Sequence, residues 1–183
     1  MNLKLHSRLE SSYANGPGKR AVIWFQGCTL NCKGCYNPFT HSPHSGSIFS
    51  VEEILQWLLS ISGDLEGVTI SGGEPCQQLS GLIELVTQIR VKTNLSCIVF
   101  SGYTLNELLV IPRFEELVPN IDVLIAGRFI EPLRCAHHLF GSSNKTLHFF
   151  SKKYSKKDFL LVPTTEIIID QEGNLINTGI DPL

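Results

Sequence analysis

The sequence has little that would carry it into a membrane. The longest unbroken apolar run, Ala21–Phe25, has five residues out of 183, against the ~20 that a spanning helix needs. The start, Met1-Asn2-Leu3-Lys4-Leu5-His6-Ser7-Arg8, lacks the apolar stretch of a secretory signal. A cytoplasmic location and no membrane partner are therefore expected. No charge of one sign prevails: fifteen Lys and Arg stand against seventeen Asp and Glu, a formal net charge of −2. That balance leaves no electrostatic footprint for nucleic acid, so no nucleic-acid partner is expected. Repeats and low-complexity stretches are also missing, and 43% apolar residues exclude a disordered chain.

What is present suffices for one domain with a real core. The chain reads as a single domain over 1–183, with a core at about 13–145 and a C-terminal extension at about 146–183. Ala21–Phe25 is β-branched and aromatic, follows the turn-like Asn15-Gly16-Pro17-Gly18, and predicts a buried strand. From Gly27 to Gly46, Cys, Gly, Pro, Asn and His without periodicity predict a loop. Ser50 with Glu53 forms a capping-box pattern, and Val51, Ile54, Leu55, Leu58 and Ile61 follow at helical spacing up to Gly63. Gly67–Ile70 predicts a strand, Leu79–Ile89 a helix, Cys97–Phe100 a strand, Leu105–Val110 a helix capped by Thr104 and Glu107, and Ile121–Ala126 a strand. Alternation of this kind predicts an α/β fold with a parallel sheet and helices outside. The units are too few for a closed eight-stranded barrel of ~250 residues, so a partial, open βα barrel or curved sheet is expected. Glu166–Asp170, Glu172-Gly173-Asn174 and Leu175-Ile176 predict a terminal hairpin.

Six cysteines do not form a disulfide framework, because a chain this long and apolar needs no staples. Cys28, Cys32 and Cys35 fall within eight residues, spaced Cys-x3-Cys-x2-Cys, while Cys76, Cys97 and Cys135 are scattered. Three thiolates so close can hold an iron–sulfur cluster, or a zinc ion with His41 or His44 as fourth ligand. A 4Fe–4S cluster normally takes four thiolates; three would leave one iron open to a small molecule. A second feature, Ser71-Gly72-Gly73-Glu74-Pro75, ends a predicted strand. Its glycines let the backbone approach a ligand, and Pro75 stiffens the turn. Ligands in a parallel α/β sheet bind at the C-terminal strand ends, which places both features on one side. In isolation, the second feature reads as a simple tight turn with a solvated glutamate.

Together, the cysteine triplet and the Gly72-Gly73-Glu74-Pro75 block some 40 residues later resemble the radical S-adenosylmethionine (SAM) superfamily. The likeness narrows to the activating enzymes of glycyl-radical proteins, above all the anaerobic ribonucleotide reductase activating family. It is carried by Asn15-Gly16-Pro17-Gly18-Lys19-Arg20, Trp24-Phe25-Gln26-Gly27-Cys28, Cys32-Lys33-Gly34-Cys35-Tyr36-Asn37, Phe100-Ser101-Gly102-Tyr103-Thr104, Ile121–Phe129 and Gly141-Ser142-Ser143-Asn144. The resemblance implies a radical SAM type of partial barrel. It implies that Cys28, Cys32 and Cys35 ligate a 4Fe–4S cluster whose open iron chelates SAM. Gly72, Gly73 and Glu74 would meet the SAM amino group, Gly34 and Tyr36 would border the adenine, and Ser101 and Arg128 would reach the ribose or carboxylate. It further implies an oxidoreductase that cleaves SAM reductively to a 5'-deoxyadenosyl radical. The partner would be a large glycyl-radical enzyme of the anaerobic ribonucleotide reductase type, and the reductant a flavodoxin or ferredoxin. Direct action on a peptide or small metabolite, and a non-catalytic zinc or electron-transfer module, are the alternatives. Two departures stand out: Gly34, where the superfamily often has an aromatic residue, and Lys145, where the family usually continues with Gln.

The remaining residues read as structure. Cys76 is expected to be a buried thiol rather than a fourth ligand, and Cys97 a core residue. Cys135, His137 and His138 lack partners for a metal site. Lys152, Lys153, Lys156 and Lys157 read as a solvated face, and Trp24 and Trp57 as core.

Overall fold

The computed structural model describes residues 1–137, 139–169 and 172–180. Eleven strands appear among them: β1 Asn2–Ser12, β2 Arg20–Phe25, β3 Ser47–Ser50, β4 Gly67–Gly72, β5 Ser96–Ser101, β6 Val123–Ala126, β7 Arg134–His137, β8 Phe140–Ser142, β9 Thr146–Phe149, β10 Thr165–Ile169 and β11 Leu175–Gly179. The helices are α1 Val51–Ile61, α2 Leu79–Lys92, α3 Leu105–Leu109, α4 Phe114–Leu117 and α5 Lys156–Phe159. None of the described helices is long and apolar enough to cross a membrane.

Seven strands form one open sheet in the order β3-β1-β2-β4-β5-β6-β9. The expectation of a purely parallel sheet is corrected here. β2, β4, β5 and β6 pair parallel, whereas β1 pairs antiparallel with both β2 and β3, and β9 pairs antiparallel with β6. The parallel four carry short, mostly apolar centres that are buried on both faces. Capping boxes start α1, where Ser50 pairs with Glu53, and α3, where Thr104 pairs with Glu107.

Alternation along the central strands splits the core in two. Ala21, Ile23 and Phe25 of β2 and Cys97 and Val99 of β5 join Ile54, Leu58, Leu82, Val86, Phe114 and Leu117 on the helix-covered face. Ile98, Val123 and Ile125 face the other way and pack on Leu139, Phe159 and Val162. The extension thus closes part of the face that the helices leave bare. Its lysines stay outside, while Tyr154 and Phe159 turn inward. The terminal hairpin is β10 paired with β11, from Thr165↔Gly179 to Ile169↔Leu175; Asp170, part of the expected hairpin, lies outside the described residues.

The opposite end of the sheet is pinned by Arg20, which is fully buried. Its guanidinium donates to Thr69 Oγ1, Pro17 O, Ser96 Oγ, Tyr154 Oη, Val68 O and Ser96 O over 2.8–3.2 Å. A buried cation costs little only when its donors are satisfied in this way.

Candidate active site

Because β2, β4 and β5 are parallel, their C-terminal ends open on one edge, with Phe25 in register with Gly72. Gly27 joins the two loops that leave there. Its carbonyl accepts from Glu74 N over 2.9 Å, and its own N–H donates to Thr40 O over 2.7 Å. Gly73 N donates to Phe25 O over 2.8 Å, so close that a β-carbon on Gly73 would collide with the Gly27 carbonyl oxygen. Gly72 sits at φ +104, a conformation that side chains rarely adopt.

Glu74 is wholly buried. One carboxylate oxygen accepts from Cys76 N and Ser101 Oγ, each over 2.9 Å, and the other from Gly102 N over 2.6 Å. Burial pushes this carboxyl above the usual carboxylate range against those hydrogen bonds. Two glutamines that the sequence did not single out steady the cysteine loop. Gln77 donates to Thr29 Oγ1 over 2.7 Å and accepts from Thr29 N, and Gln26 donates to Phe39 O and Ser42 O.

These ends surround a cavity of about 410 Å³, within the range of small-molecule sites. Cys28, Cys32, Cys35, Tyr36, Gly72, Gly73, Glu74 and Ser101 all line it. Gly34 and Arg128 stand off its wall. Gly34 turns at φ +70 against Glu131 and Phe129, and Arg128 donates to both oxygens of Glu107 over 2.8 Å. Tyr36 packs edge-on against Phe129, with ring centroids 5.0 Å apart. Trp24, expected only in the core, also lines the cavity, as do His41 and Lys145; His44 is exposed.

All six cysteines are free thiols. Burial pushes the Cys28 and Cys35 thiols up, and neighbouring thiols in the triplet add to the rise. Three unpaired thiols from one loop, all facing one cavity, are the donor type and number that an iron–sulfur cluster with an open iron takes. Among the described residues, no three His, Cys, Asp or Glu side chains already stand at metal-binding separations. Cys76 is buried behind the turn and its thiol is pushed far up; Cys97 is fully buried and pushed up to about 12. Cys135 contacts Phe140 O. His138 lies outside the described residues, as does the side chain of His137.

Residues 14–148 match the family described as the 4Fe-4S single cluster domain. Over 156 residues the chain is 33% identical to an anaerobic ribonucleoside-triphosphate reductase-activating protein of Vibrio cholerae, covering 81% of this chain and 99% of that one. The chain belongs to this activating-protein family. The Escherichia coli K12 protein of the same name is 31% identical over 153 residues, covering 80% of this chain and 98% of its own. A solved structure, QueE from Escherichia coli, aligns over 57% of this chain and 54% of that one, with 21% identity and a TM-score of 0.46.

Proposed function

We propose that this chain is a radical SAM activase. Cys28, Cys32 and Cys35 would hold a 4Fe–4S cluster, and the Gly72-Gly73-Glu74 turn, Ser101 and Tyr36 would hold SAM. When bound, cluster and SAM together supply one-electron cleavage of SAM to methionine and a 5'-deoxyadenosyl radical, which takes a hydrogen atom from substrate. The substrate is a backbone glycine of a large glycyl-radical enzyme of the anaerobic ribonucleotide reductase type, and the electron comes from a flavodoxin or ferredoxin. Support comes from the family relationship and from one observation above all: the three thiols, the Gly72-Gly73-Glu74 turn and Ser101 line a single cavity.

The chain's own part is placement and dryness. The Gly72–Gly73 backbone, with no side chain in the way, lets the SAM amino group approach. Glu74 holds that turn to Ser101 and Gly102, while Ser101 presents its backbone toward the ribose or carboxylate. Tyr36 forms an aromatic border for the adenine, Gly34 allows the bend that positions Tyr36, and Arg128, held by Glu107, acts at the margin. The open sheet acts as a radical SAM partial barrel in one domain, and the reaction belongs in a reducing cytoplasm.

A cavity of small-molecule size also favours a second reading, direct action on a peptide or small metabolite. Anaerobic reconstitution with iron and sulfide, followed by reduction and assay of 5'-deoxyadenosine from SAM, tests the chemistry. Release that disappears in Cys32→Ala is the expected result. Tightly bound zinc with no release would overturn it. A glycyl-radical signal on the partner enzyme, read by electron paramagnetic resonance, separates activase from direct enzyme.

A further inference from the structure

The hairpin of β10 and β11 lies beyond residues 14–148, which the family match covers. It nevertheless reaches the site: Ile176, Asn177, Thr178, Gly179 and Ile180 line the same cavity as the three thiols. The hairpin forms a two-stranded sheet of its own, without ladder hydrogen bonds to the seven-stranded one. Such a unit is marginal alone, so its position depends on what fastens it.

The fastening is polar in part, beside the apolar packing of Ile180 against the second core cluster. Glu166 accepts from Ser12 Oγ over 2.6 Å, Tyr13 N over 2.8 Å and Ala14 N over 3.3 Å. Asn15 Nδ2 donates to Thr178 Oγ1 over 2.8 Å, on the strand that faces the cavity. Ser12 and Thr178 are buried by this contact. The latch therefore joins the end of β1 to both hairpin strands, beside the cavity mouth.

We propose that this hairpin is the specificity-determining wall of the site. Latched, it bounds a cavity of about 410 Å³, room for one small molecule and not for a protein segment beside it. An extended, glycine-bearing peptide segment of a partner reaches the thiol loop only when the Glu166 latch opens. That last statement rests on the activase reading for which segment must enter; the wall itself does not.

Thiol access in the cluster-free protein tests the wall. In a Cys135→Ser background, alkylation of Cys28, Cys32 and Cys35 is timed by peptide mass spectrometry, with iodoacetamide as the small reagent and a polyethylene-glycol maleimide as the large one. Glu166→Ala should speed the large reagent about tenfold or more, as expected from losing hydrogen bonds to a charged group, and Asn15→Ala, which loses neutral ones, about threefold or more. The small reagent should change by less than about twofold, since it fits the latched cavity. Amide exchange over 172–180 reports whether the hairpin has opened. Should it stay closed in both variants, the full-length Asn15→Ala, Glu166→Ala double variant with Ile180→Ser takes their place, with circular dichroism as the check on folding. Large-reagent rates equal to wild type in an opened hairpin overturn the proposal. Failure to cleave SAM would sink the activase reading and leave these rates untouched.

Discussion

Ser101 at the end of β5 donates its hydroxyl proton to Glu74, two residues past the end of β4, over 2.9 Å. Both side chains are buried, so this bond fixes the separation of two loops that line the cavity. Ser101→Ala should cost about 1–3 kcal/mol, the range for removing one partner of a buried hydrogen bond. Glu74→Gln should cost more, because its amide N–H group meets backbone N–H or hydroxyl donors where an acceptor stood. Urea unfolding checks this: the midpoint should fall with an unchanged slope.

Gly72 and Gly73 carry a separate prediction. A β-carbon on Gly72 would meet the Phe25 backbone in addition to its positive φ, and one on Gly73 would meet the Gly27 carbonyl. Either Gly→Ala change should cost about 1–3 kcal/mol, from backbone strain at Gly72 and from overpacking at Gly73. Iron–sulfur absorbance after anaerobic reconstitution should fall in step, because Gly27 leads directly into Cys28. Gly63→Ala, where a β-carbon would meet nothing within 4 Å, is the matched control.

Much of this was legible in the residues. The capping pairs Ser50–Glu53 and Thr104–Glu107 mark where α1 and α3 begin, and the four parallel strands stand out because both of their faces are buried. β1 was not legible: only Leu3, Leu5 and Ser12 of its eleven residues are buried, so no alternation announces it. β3 and β9 are short edge strands with exposed positions and leave equally little trace. Within the site, the thiol triplet and the glycine turn have local signatures. Trp24, Gln26, Gln77 and Lys145 do not; their roles come from tertiary placement, which no spacing encodes.

Tyr154 shows that the extension is part of the fold. Its hydroxyl contacts Arg20 over 2.9 Å, Ser96 over 2.7 Å and Glu66 over 2.9 Å. Tyr154→Phe leaves the ring packed near Phe159 and removes those bonds, so it should cost about 1–3 kcal/mol. Arg20→Met should cost more, since the six oxygen acceptors of its guanidinium lose their donors together. Thermal melts of the two variants, read beside wild type, check the order.

Lys145 gives the pH prediction. Its ammonium donates to Gly127 O and lines the cavity. Burial holds its pKa below the ordinary lysine value of 10.5, while Cys32, Glu74 and Cys35 pull it back up. A lysine depressed in the folded state binds fewer protons there than in the unfolded chain. Stability contributed by this group therefore rises with pH between its folded value and 10.5, and is flat below the folded value. Lys145→Met removes the titration, so the difference in unfolding free energy between wild type and variant should grow in favour of wild type as pH rises through that window. Urea unfolding under reducing conditions at a series of pH values measures it; a difference that stays constant, or shrinks, would show that Lys145 keeps its charge as readily in the fold as in water.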